Sequence, residues 1–78
     1  MALPLQYQKV RVIRLRDDRF VAAKPMRGRA PRIGDVGTVV EVYTKPVVGF
    51  EVECVDPTTG GTVWLEPMYP EEIEVIGA

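Results

Sequence analysis

At 78 residues, with a net charge of −1, one cysteine and no histidine, the chain has room for a single domain over 1–78, and an internal disulfide or a histidine-based metal or catalytic site is excluded. A fold of this size buries only about 60% of the surface that its unfolded chain exposes, so self-association is one way to support a marginal core. The opening residues lack a basic and then apolar leader, and no apolar run reaches the roughly 18 residues of a membrane helix, so a soluble cytoplasmic protein is expected.

Apolar residues recur at period two almost everywhere, and never at helical spacing for more than a turn, which predicts an all-β chain of about five strands. The first, Gln8 to Arg16, breaks phase at Val12-Ile13, the mark of a bulge or bend. A long basic connection punctuated by glycine and proline follows, from Asp17 to Gly34, in which Phe20, Val21, Ala22 and Ala23 are expected to form a short extended piece against the core. The second strand, Val36 to Thr44, is expected to bury Val40 and Val42, turn Glu41 to water, and place Gly37 where a neighbouring backbone passes close. The third, Phe50 to Val55, alternates cleanly, with Phe50, Val52 and Cys54 inward and Glu51 and Glu53 outward. Asp56-Pro57-Thr58-Thr59-Gly60-Gly61 reads as a hairpin turn into Thr62 to Glu66. Pro67 and Pro70 are then expected to stop the ladder. One helical turn at Pro70-Glu71-Glu72 and a last strand, Ile73 to Ile76, complete the pattern.

The small net charge hides a strong asymmetry. Nine of the ten basic residues precede Asp35, with only Asp17 and Asp18 to oppose them, whereas from Asp35 onward nine acidic residues face Lys45 alone. Such poles suit docking between copies or onto an acidic partner or nucleic acid, or else they cancel between neighbouring strands. Arg14, Arg16, Arg19, Arg27, Arg29 and Arg32 have the chemistry to neutralise phosphates. The pI of about 5.3 and the single interleaved aromatic, Phe20, argue against a dedicated nucleic-acid binder.

Among the remaining candidates, Cys54 reads as a small core hydrophobe. Tyr43, Trp64 and Tyr69, with Pro67 and Pro70 between them, suit a groove for a proline-rich peptide, an interface between copies, or packing on their own sheet. The adjacent acids Asp17-Asp18 and Glu71-Glu72 point apart on a strand or turn, so neither is a catalytic dyad, and both read as solvated surface. No phosphate-binding loop, nucleophile elbow or metal-ligand spacing occurs, so neither cofactor nor enzymatic activity is expected.

The order of bent strand, long loop, Gly-Asp-x-Gly-Thr-Val strand, acidic strand, glycine-rich hairpin and one-turn helix resembles an SH3-like barrel, with the basic connection in the place of the RT loop. More narrowly, Gly34 to Tyr43 and Glu51 to Asp56 are similar to a family of small bacterial proteins known as domain of unknown function 4926, from which roughly the first 30 residues depart by a longer and far more basic loop. The family implies no active site. KOW domains, the β subunit of nitrile hydratase and the variable subunit of ferredoxin-thioredoxin reductase share the Gly-Asp-x-Gly-x-Val core, and the resemblance implies a small barrel that docks on a larger partner.

The expectation is therefore a non-enzymatic module that binds protein, first of all a second copy of itself. Arg14, Arg16 and Arg29 are expected to meet Glu51, Glu53 and Glu66 around an apolar contact formed by Trp64 with Tyr43 and Tyr69. The alternatives are a KOW-like accessory domain for RNA and an antitoxin or inhibitor that covers a partner protein.

Overall fold

The computed structural model describes residues 3–21 and 28–77, so the expected placement of Ala22 and Ala23, and the charges of Lys24 and Arg27, lie outside the described residues. Five strands, β1 (Lys9–Val12), β2 (Val36–Tyr43), β3 (Gly49–Val55), β4 (Thr62–Met68) and β5 (Ile73–Val75), form one antiparallel sheet in the order β4-β3-β2-β1-β5. A single 3-10 turn, Pro70–Glu72, precedes β5 as expected. Among the described residues no helix is long and apolar enough to cross a membrane.

The sheet curls around its own core. Val10 and Val12 of β1, Ile73 at one border of the sheet, and Trp64 and Met68 at the other share one buried cluster with Phe20, Val39, Phe50, Val52 and Cys54. No ladder joins β4 to β5, so the last strand extends the sheet beside β1 and does not close it by hydrogen bonds.

Three strands differ from their expected form, each for a local reason. β1 ends at Val12 because the next two backbone N–H groups, of Ile13 and Arg14, donate to the Glu72 carbonyl (2.8 and 3.4 Å). The phase break in the sequence is thus the point where the chain leaves the sheet. In β2 the register slips between Val39 and Glu41, so Val40 is the extra residue of a bulge, Val39 is fully buried in its place, and Val42 packs at the margin of the core. β4 continues through Pro67 to Met68. Outward-facing carbonyls of this border strand are taken by Arg29 N–H, at Val63, and by Arg19 Nη2, at Pro67 (3.3 and 3.2 Å). Pro67 therefore has its missing N–H on the open edge, where no rung of the ladder is lost.

Other expectations hold. β3 alternates as read. A Cβ on Gly37 would come within 2.7 Å of the Glu53 carbonyl oxygen and of Val52, so β2 and β3 approach this closely only over a glycine. Asp56 organises the β3–β4 turn by accepting from the N–H groups of Thr58 and Thr59 (2.7 and 3.3 Å), and Gly60 supplies the positive φ of 75°. Phe20 tucks into the core, but through a turn in which Val21 N–H donates to the Asp18 carbonyl, which leaves Val21 84% exposed.

Candidate functional site

The arginines of the basic half are mostly held by carboxylates of the same molecule. Glu72, 0% exposed, receives Arg19 through both terminal nitrogens (3.0 and 2.6 Å) and the backbone N–H groups of Arg16 (2.7 Å) and Tyr69 (2.8 Å). Burial acts to raise its pKa, but Arg19 and the two N–H donors outweigh it and hold the carboxyl below its ordinary value. Arg19 also pairs with Asp17 (2.9 Å), whose carboxyl that bond lowers. Arg16 pairs with Glu71, lowering that carboxyl, and its guanidinium lies 3.5 Å from the centre of the Tyr69 ring.

A second cluster forms around Asp35. Arg29 grips it bidentately (2.8 and 2.9 Å), the Trp64 indole donates to it (2.9 Å), and so does the Arg32 backbone N–H (2.9 Å). Here too burial works to raise the pKa, and Arg29 with the other donors overrides it, so the carboxyl lies below its usual range. The Asp of the Gly34-Asp35-x-Gly37 core is thus a tie between loop, sheet and indole. Cys54 is buried beside this cluster, and burial followed by the Asp35 charge pushes its thiol up, which keeps it protonated and unreactive.

These clusters dismantle much of the expected docking face. Arg16 and Arg29 are engaged within the molecule, and Trp64, 4% exposed, is part of the core. The ring packs on its own sheet because its one polar atom finds Asp35 there. Glu51 and Glu53 face outward, where Glu51 accepts from the Tyr43 hydroxyl (2.9 Å) and Glu53 from the Thr62 hydroxyl (2.6 Å). Glu66 is paired with Val52 and so lies on the opposite face from those two, half-buried, with its carboxyl raised by burial and then by Glu51. The three glutamates do not form one surface. Arg14 is exposed and makes no ion pair with a described carboxylate.

Two of the expected residues do meet. At the end of the sheet where β2 turns into β3, Tyr43, Lys45, Pro46, Val47, Val48 and Gly49 face Arg19, Pro67, Met68 and Tyr69 across a mainly apolar groove of about 410 Å³. Tyr43 is 40% exposed and Val47 61% exposed at its rim. Its hydroxyl bond to Glu51, with burial second, raises the Tyr43 pKa, so the phenol stays neutral. On the far wall Tyr69 is overlaid by Arg16 and Arg19, which pair with Glu71 and Glu72.

Sequence reasoning missed Glu72 and Asp35, offered Arg19 for phosphate and not as the partner of Glu72, and treated Glu71-Glu72 as plain surface. A signal was present for one of them: an acid at the third position of a short helical turn opened by proline reaches back to the N–H before the turn, as Glu72 does to Tyr69. It missed Val47 and Val48, which lie between the expected second and third strands.

No curated protein and no solved structure matches the chain. The family described as Domain of unknown function (DUF4926) matches residues 26–75, from the approach to Asp35 through the clamp at Glu72 to β5. The match takes in the Asp35 cluster and Glu72, though not Arg16 and Arg19 that Glu72 holds, and it covers the greater part of the chain, which therefore belongs to the DUF4926 family.

Proposed function

We propose that this protein is a non-enzymatic, SH3-like protein-binding module of the bacterial cytoplasm, and that it binds through the groove between the β2–β3 turn and the Pro67–Tyr69 segment. The strand order, the long connection after β1 and the 3-10 turn before β5 support the SH3-like assignment. The observation that carries the reading is the groove: exposed valines and two tyrosines gathered at one end, beside charges that are otherwise tied up internally. Apolar contact supplies affinity there, and the rim charges Lys45 and Glu51 supply orientation. Lysine-directed cross-linking in cell lysate, with adducts mapped by mass spectrometry, tests it. A protein adduct at Lys45 that disappears in Val48→Asp is expected, and adducts indifferent to that substitution would refute the groove.

The RNA-binding alternative is supported by Lys9, Arg14 and Arg32, which form no ion pair with described carboxylates. It is weakened by the commitment of Arg11, Arg16, Arg19 and Arg29 to internal pairs. The antitoxin or inhibitor role is one form of the proposed function, in which the groove covers a protein encoded nearby.

A further inference from the structure

We propose that the occupant of the groove is a second copy of this chain, in a two-fold contact where the β2–β3 turn of each molecule seats in the groove of the other; this rests on the reading of the groove as a protein-binding surface and names its partner. The shape carries the first part of the argument. The same turn forms one wall of the hollow and the most exposed apolar projection beside it, Val47, while Pro67 and Tyr69 form the opposite wall. Because the projection and the hollow share one patch, a two-fold rotation lets each copy's projection enter the other's hollow and closes the contact at two chains.

Charge carries the second part. Lys45 is the only basic residue from Asp35 onward, and it pairs with no described carboxylate. On the same hairpin Glu41 and Glu51 stand directly opposite each other across β2 and β3, an arrangement of like charges that costs stability within one molecule. Glu51 is steered toward the groove end by the Tyr43 hydroxyl. A two-fold contact about the hairpin brings Lys45 of each copy to the glutamates of the other, relieving both imbalances with one pairing. An RNA strand lying along Tyr43 would meet the Glu51 carboxylate bonded to that ring's hydroxyl. Association also adds apolar burial to a small chain that has no disulfide.

Sedimentation equilibrium over a concentration series tests the proposal, with melting curves to confirm that each variant is folded. The wild type is expected to be a reversible dimer. Lys45→Glu and Glu51→Lys are each expected to weaken dimerisation on the order of tenfold or more, by setting like charges against each other. An equimolar mixture of the two variants is expected to dimerise as the wild type does, since both contacts in the mixed pair are then oppositely charged. A dimer unaffected by either substitution, or a mixture that fails to recover, overturns the proposal. A wild type that stays monomeric, but whose Lys45 adduct to a different protein is lost in Val48→Asp, overturns the second-copy assignment and leaves the groove reading standing.

Discussion

Glu71 and Glu72 are neighbours with the same side chain and opposite circumstances. Glu71 holds Arg16 at the surface, where solvent screens the pair and a long side chain must be ordered to make it. Glu72 is sealed, and its carboxylate and carbonyl together take Arg19 and the N–H groups of Ile13, Arg14, Arg16 and Tyr69. Removing its charge leaves a guanidinium and the two backbone donors of Arg16 and Tyr69 facing a neutral group in a water-poor site, at a cost of about 3 kcal/mol or more. Denaturant titration of Glu72→Gln is expected to show that loss, whereas Glu71→Gln is expected to unfold at nearly the wild-type midpoint. Equal midpoints for the two variants would mean that Glu72 is not the tie described above. Sequence periodicity cannot rank the two glutamates, because burial at a turn depends on which distant segment arrives to cover it.

At the scale of elements, the border strand β4 shows how a sheet edge is kept from recruiting another. Its outward carbonyls at Val63 and Pro67 are occupied by Arg29 and Arg19, Pro67 has no N–H to offer, and Leu65 is left between them. One free rung is too little for an incoming strand. Pro67→Val restores an outward donor and raises β propensity at the same place, so faster thioflavin-positive aggregation on heating is expected, with near-native circular dichroism beforehand. The β3–β4 turn, the alternation of β3 and the need for Gly37 were legible in the residues, since each follows from local geometry. Pro67 was misread as a terminator because proline's effect depends on which side of the strand it faces, and only the sheet order reveals that. Val40 was misassigned because a one-residue bulge reverses the phase of everything beyond it.

Over the whole molecule, the separation of charge along the sequence is largely a folding device. The basic half meets the acidic half through Arg11–Glu74, Arg16–Glu71, Arg19–Glu72 and Arg29–Asp35. The sequence made both poles visible but not their pairing, since β5 and the 3-10 turn come back beside β1 only in three dimensions. Asp17, Asp35, Glu71 and Glu72 are all held below their ordinary values, 3.8 for aspartate and 4.5 for glutamate. A carboxyl lowered on folding contributes stability that is complete above its unfolded-chain value and is lost as the pH falls through the lower folded value. Glu66, raised by burial, runs the other way and is relieved by protonation. Four groups oppose one, so melting temperature is expected to hold between about pH 7 and pH 5 and to fall progressively below about pH 4.5. A melting temperature that rises on acidification would show that the internal pairs contribute less than the charge they bury.

The anchor at Glu72 also sets an order of events during synthesis. Arg16 and its acceptor are 56 residues apart, and β1 lacks one of its two neighbours until β5 exists. On the ribosome, the arginine-bearing loop must wait without its fastening until the segment that carries Glu72 emerges. The border formed by β1 and β5 cannot be complete before that segment is present.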